Sequence, residues 1–376
     1  MPRNAIERGT TAAELVDAAR RSIRSVLPST WSVVVGLPPV LGGSGHTYRP
    51  DSQLVITAPD NARVIVLVEC KGVIVPRDVA RVAEQLAAYS AAAVARGTQV
   101  GGAVLAAPFV SPTTRARLAE RGLGWFDLTG NLRVGLDRPA VFLDREGADR
   151  SEFRDPADRL LKSLRGPAAA KVVLQLCETS LPVGVRDLAG RAEVGAATSA
   201  RVLELLDREA VVTRDETGVV TAVRKRPLLD LWVRDYGVMT SNEVVATLDP
   251  RGLSHALTAL SFVNTRVVVT GSAAARAYLP ADVTPVSPLV SLSLYAEEPV
   301  ELMDQLGLRT VERGTNVLVL RPYDDSVYAR SRRLEGIDYA APAQVVADLL
   351  TGPGRSTEEA EQLMTAFESN EPGWER

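Results

Sequence analysis

Residues 50–71 read PDSQLVITAPDNARVIVLVECK, and the alternation within them decides what kind of domain opens the chain. Two β-rich runs, 52–57 and 62–69, flank the turn Pro59-Asp60-Asn61, which reads as a hairpin. Successive side chains of a strand point to opposite faces, so Glu69 and Lys71 share one face and Cys70 takes the other. The hairpin carries Asp51, at the start of its first run, to the same end of the sheet as Glu69 and Lys71.

Working outward, an amphipathic helical pattern over 12–26 stops at Leu27-Pro28, and a strand-like run over 31–36 precedes a Gly-rich turn at 41–45. Beyond the hairpin, Pro76 stands where a helix starts, and 77–95 carries Ala, Leu and Val at helical spacing until Gly97. A buried run over 100–106, a helix over 112–121 and short strands near 125–126, 132–135 and 140–143 follow. The order αβββαβ, then further short elements, predicts a mixed α/β domain over residues 1–150.

Two carboxylates beside a lysine at a sheet end suit Mg²⁺, a hard cation that takes oxygen ligands and completes its shell with water and phosphate. The lysine positions the attacking water and stabilises developing charge, which is phosphodiester hydrolysis without a histidine. With 24 Glu and four Lys in 376 residues, E-x-K is expected about 0.26 times by composition, yet it stands once, at a strand end. A solvated Glu69–Lys71 ion pair beside a turn aspartate is the alternative reading of the same letters.

Pro50-Asp51 and Glu69-Cys70-Lys71 in this element order resemble the PD-(D/E)xK nuclease superfamily, and Gln85-Leu-Ala-Ala-Tyr89 is similar to the QxxxY element of some of its branches. The resemblance covers about residues 10–145. It implies Asp51 and Glu69 as metal ligands for Mg²⁺, Lys71 as the water-positioning residue and Gln85 as an assisting one. Glu14 on the first helix stands where some members carry a further acid.

Composition narrows the classes. Hydrophobic content of 46% and charged content of 24% describe a globular chain, and no apolar run is long enough for a membrane span. The start of the chain carries acidic residues and no apolar core, unlike a secretory signal, so a cytoplasmic location is expected. Cys70, Cys177, His46 and His255 form neither CxxC nor HExxH spacing, which excludes a structural zinc site and a disulfide framework within one chain. The net charge of −3 divides unevenly: +4 over 1–150, −2 over 151–158, +4 over 159–226 and −9 over 227–376. The first two-thirds suit a polyanion; the acidic remainder suits protein or solvent.

Residues 144–158 are charged and non-periodic, a linker. Residues 155–226 then read helix (168–178), helix (185–192), helix (198–210) and a hairpin over 211–223 with the loop Asp215-Glu216-Thr217-Gly218. That order is a winged helix-turn-helix, whose recognition helix enters the major groove of double-stranded DNA. Val202, Leu205 and Leu206 form the buried stripe, leaving Thr198, Ser199 and Arg201 to face bases and phosphates. Arg224, Lys225 and Arg226, after the wing, are expected to make phosphate contacts. A protein-binding winged helix has the same pattern, and a helix cap is the alternative role for Ser199.

Residues 227–350 form an acidic α/β domain, and 351–376 a tail. Val267-Val-Val-Thr-Gly-Ser-Ala-Ala-Ala275 resembles the strand-Gly-Ser-helix entrance of nucleotidyltransferase folds, but the strand Val290-Ser-Leu-Ser-Leu-Tyr295 lacks the paired acids that fold uses. With the helix-rich module and Ala341-Pro-Ala-Gln-Val-Val-Ala-Asp-Leu-Leu, this stretch resembles the AbiEi-like transcriptional regulators and antitoxins of type IV toxin-antitoxin systems, over roughly residues 155–365. The resemblance implies a transcriptional regulator or antitoxin; as a DNA-binding regulator it would read its site through the winged helix as a homodimer on a palindrome, with the nuclease-like domain adding nonspecific DNA contact or dimer surface. A Mg²⁺-dependent endonuclease targeted by the winged helix, and an antitoxin or scaffold with a protein partner at its acidic domain, stand beside it.

Overall fold

A computed structural model describes residues 10–36, 41–43, 46–48, 50–151, 161 and 163–375. The chain divides into two compact units, residues 1–159 and 160–376. Among the described residues no helix is long and apolar enough to cross a membrane.

The first unit runs α1 (Ala12–Val26), β1 (Ser32–Gly36), β2 (Leu41–Gly43), β3 (His46–Tyr48), β4 (Ser52–Thr57), β5 (Arg63–Cys70), α2 (Val79–Val94), β6 (Val100–Ala107), α3 (Pro112–Glu120), β7 (Gly124–Asp127), β8 (Leu132–Leu136) and β9 (Val141–Arg145). Thr11 and Glu14 close a capping box that starts α1, satisfying amides that the helix itself leaves unpaired. Seven strands form one sheet in the order β1-β4-β5-β6-β7-β8-β9, with β5, β6 and β7 mutually parallel. The alternation along β5 sorts the layers. Val64, Val66, Val68 and Cys70 pack against Leu15, Ala19 and Ile23 of α1 on one face. Leu67, with Leu105 and Trp125, packs under Val82, Leu86 and Tyr89 of α2 and Leu118 of α3 on the other. Where a Gly-rich turn was expected at 41–45, β2 and β3 pair as a hairpin, Leu41 opposite Tyr48; Ser44 and Gly45 lie outside the described residues.

The second unit opens with α4 (Pro167–Glu178), α5 (Val185–Arg191), α6 (Ala196–Arg208), β10 (Val212–Arg214) and β11 (Val220–Val223). It continues through α7 (Lys225–Trp232), α8 (Val238–Ser241), β12 (Glu243–Leu248), α9 (Leu253–Ala259), β13 (Val267–Thr270), α10 (Gly271–Tyr278), β14 (Leu292–Ala296) and α11 (Pro299–Leu306). Last come β15 (Arg309–Thr310), β16 (Val317–Arg321), β17 (Arg332–Leu334), β18 (Ile337–Tyr339), α12 (Pro342–Leu350) and α13 (Ser356–Glu368). β10 and β11 pair antiparallel as a separate ribbon, while a mixed sheet runs β15-β12-β16-β14-β13-β18-β17. One apolar core is continuous from Leu164 of the helical part, through Leu188, Leu203 and Trp232, to Tyr295, Leu363 and Trp374. Residues 351–375, expected as a tail, bury Leu363, Met364, Phe367 and Trp374 in that core.

Candidate functional site

The first candidate site lies at the end of β5. Because the β4–β5 register sets Ser52 opposite Val68, Asp51 and Glu69 are carried to one edge of the sheet. The Cys70 amide donates to Asp51 Oδ2 at 2.8 Å, which anchors the aspartate to the strand end. Glu69 is 3% exposed; its Oε1 accepts from Lys71 Nζ at 2.6 Å and from Gln85 Nε2 of α2 at 2.9 Å. Gln85 Nε2 also lies 2.6 Å from the Tyr89 hydroxyl, so α2 fixes the amide by one turn of helix. Cys70 points the other way, into the α1 layer, with its Sγ 3.7 Å from the Ala12 carbonyl. The structure therefore brings together Asp51, Glu69, Lys71 and Gln85. Glu14, by contrast, is engaged as the α1 cap.

Burial raises the pKa of Glu69, opposed by the hydrogen bond from Lys71 and reinforced by the Asp51 charge. Its second oxygen, Oε2, is buried without a hydrogen-bond partner among the described residues. A buried carboxylate oxygen left unpaired is costly, and a cation is one group that would satisfy it. Among the described residues no cluster of three or more His, Cys, Asp or Glu gathers, so a metal here would rest on Asp51 and Glu69 with water and phosphate completing its shell. That donor set fits Mg²⁺.

Sequence reasoning missed two neighbours. Gln53 of β4 stands opposite Leu67 of β5, and its Oε1 is buried and unpartnered among the described residues; a polar residue within an apolar alternating run could have flagged it. At the end of β7, Asp127 is fully buried and accepts from the amides of Val110, Thr129 and Asn131 at 3.0, 2.9 and 3.1 Å. Arg115 of α3 donates to Asn131 Oδ1 at 2.6 Å. The register places Asp127 beside Ala107, at the edge where the Lys71 amide bonds the Ala106 carbonyl. The run Asp127-Leu-Thr-Gly-Asn131 is the visible signal, an Asx-type turn in which side chains replace backbone partners.

The second candidate surface is α5–α6 with the β10–β11 ribbon. α6 starts at Ala196, two residues earlier than expected, capped by Gly195. Ser199 precedes Val202, Leu203 and Leu206 by three, four and seven positions and so lies on the buried stripe of the helix: it is fully buried, and its Oγ has no partner among the described residues. The expected exposure of Ser199 is thus corrected. Thr198 is half-buried and Arg201 exposed; the Arg201 Nε donates to the Ala197 carbonyl at 3.3 Å.

The basic run after the ribbon divides. Arg224 is exposed. Lys225 and Arg226 are not a free wing end but the first turn of α7. Arg226 is 6% exposed and donates to the Trp374 carbonyl at 2.6 Å, Glu361 at 3.1 Å and Glu368 at 3.3 Å. Its guanidinium is consumed inside the unit, so it does not face a DNA backbone.

In the α/β part, Thr270-Gly271-Ser272 makes a strand-to-helix turn with Gly271 at φ +63°. The Thr270 hydroxyl donates to Asp348 and that of Ser272 to Glu359, each at 2.5 Å. No paired acids stand on β14, which reads LSLYA. Asp348 is buried among the hydroxyls of Tyr236, Tyr295 and Thr270 and the Gln344 amide. Burial pushes its pKa up to about 6, against the hydrogen bonds it accepts, that from Thr270 foremost.

No curated protein and no solved structure matches the chain. Residues 221–367, from the ribbon's second strand to the last turn of α13, match the model of a family described as transcriptional regulator, AbiEi antitoxin, type IV TA system.

Proposed function

We propose that the protein is a DNA-binding transcriptional regulator of the antitoxin type. The observation that carries this reading is the family match over residues 221–367, which begins within a three-helix and ribbon module of winged-helix order. In it α6 is the recognition helix, with Thr198 and Arg201 toward the major groove, and β10–β11 is the wing, with Arg224 and Lys225 at its root. A homodimer on a palindromic site, and a protein partner at the acidic residues 227–350, belong to the same reading. Gel shift on the promoter of its own gene tests it. Arg201→Ala should lower affinity about tenfold, in line with roughly 1–3 kcal/mol for a base-reading arginine. Unchanged binding at every salt concentration would sink the docking geometry.

A second reading, a Mg²⁺-dependent DNA endonuclease of PD-(D/E)xK type, is favoured by one observation: the unpartnered Oε2 of Glu69 beside Asp51, Lys71 and Gln85. Asp51 and Glu69 would hold the ion, which when bound supplies charge neutralisation at the scissile phosphate. Lys71 orients the attacking water, and Gln85 keeps the Glu69 carboxylate aimed. Incubation of plasmid DNA with Mg²⁺, with Mn²⁺ and with EDTA tests this. Metal-dependent cutting that disappears in Lys71→Ala, with gel-shift affinity retained, supports the endonuclease; no cutting under any condition removes it.

A further inference from the structure

Residues 371–374 cross the root of the ribbon. Gly373 sits at φ +86°, and a Cβ there would lie 2.7 Å from the Val223 carbonyl and 3.4 Å from Lys225 Cγ. The segment lies flat on the ribbon because it has no side chain at that position. Its carbonyl accepts from the Lys225 amide at 2.7 Å. One residue on, Trp374 is 1% exposed, packed on Phe367 with ring centroids 5.1 Å apart. The Lys225 ammonium lies 5.4 Å from the Trp374 ring centroid and 3.6 Å from Glu371, leaving its side chain 12% exposed. Glu371 also accepts from the Trp374 indole at 3.2 Å.

Arg226 is held more deeply, by Glu361 and Glu368 of α13. The cation that a small movement would free is Lys225, next to the exposed Arg224. Glu371 is the anion that occupies it, where a DNA phosphate would otherwise compete.

We propose that residues 371–374 are an autoinhibitory strap: Glu371 and the Gly373–Trp374 backbone hold Lys225 away from DNA, and loosening the strap strengthens DNA binding. The inference rests on the reading that the α4–β11 module binds DNA. Trp374, buried against Phe367, keeps the strap closed, and Glu371 supplies the competing charge. Because one ammonium is at stake, the effect is a counterion effect, large at low salt and vanishing at high salt.

The test compares wild type, Glu371→Gln and Gly373→Ala by fluorescence anisotropy on duplex DNA across a salt series, with circular dichroism and thermal melts on each protein. Gly373→Ala displaces the strap without changing charge; Glu371→Gln removes the charge without the clash, and decides alone if the glycine variant fails to fold. Both should bind about three- to tenfold tighter at 0.1 M salt, and the slope of log K against log salt should steepen by about one. Adding Lys225→Gln to Glu371→Gln should cancel the gain. Equal or weaker affinity in well-folded variants would overturn the strap while leaving the DNA reading in place. Absence of salt-dependent DNA binding in all three proteins would remove the DNA reading, and the strap with it.

Discussion

Ser199 shows how helical period, and not nearness to a helix start, decides which way a polar residue points. Read as a residue near the start of a recognition helix it is expected to face DNA, but three, four and seven positions before Val202, Leu203 and Leu206 it falls on the buried stripe of α6 and is 0% exposed. Its hydroxyl has no partner among the described residues, and an unsatisfied buried hydroxyl costs about 1–3 kcal/mol. Ser199→Ala should therefore raise stability by about 1 kcal/mol in urea unfolding and leave affinity for DNA unchanged. A clear loss of affinity would restore the residue to the interface. Glu69 is the opposite case. Its identity and strand face were legible from alternation, whereas its burial and its open Oε2 depend on α2 closing over the strand end.

At the scale of elements, Asp348 of α12 ties four pieces of the second unit together. Tyr236, following α7, Tyr295 of β14 and Thr270 of β13 all hydrogen-bond its carboxyl. Tyr236 in turn stacks on Trp232 of α7, 4.7 Å between ring centroids. Burial raises the folded pKa to about 6 from the usual aspartate value of 3.8, so folding disfavours the ionised form. The group's contribution to stability is full below the unfolded value, declines as pH rises toward about 6 and is lost above it, by roughly 3 kcal/mol at most. Chemical denaturation from pH 4 to pH 8 should show this fall in wild type and not in Asp348→Asn. An identical pH profile for the two proteins would mean that the carboxyl ionises without penalty. None of this was readable from the sequence, since the partners are separated from Asp348 by up to 112 residues.

At the scale of the molecule, the division into residues 1–159 and 160–376 predicts that fragments 1–151 and 163–376 each give a cooperative melt. A fragment ending at Arg226 should not. Its helices share one core with Leu228, Trp232, Leu363 and Trp374, and losing several buried side chains at about 1.5–3 kcal/mol each exceeds the stability of a small module. A cooperative melt of 163–226 alone would contradict the continuous core.

Whatever depends on local periodicity and local charge could be read directly from the chain. Alternation in residues 52–70 located β4 and β5 and set Glu69 opposite in face to Cys70; Pro28, Gly97 and Gly218 marked where elements end; the i, i+3, i+4 stripe located α6. Of the stretch 155–365 over which a family resemblance was read, a family match covers residues from 221 onward, to 367. Which charges face solvent was settled only by tertiary packing. Arg226 and Lys225 read as an open basic end, yet α13 and residues 371–374 come from about 140 residues away to neutralise them. Charge counted along a chain is local, whereas the desolvation and pairing that determine what a charge can bind are set by whichever distant segment packs over it.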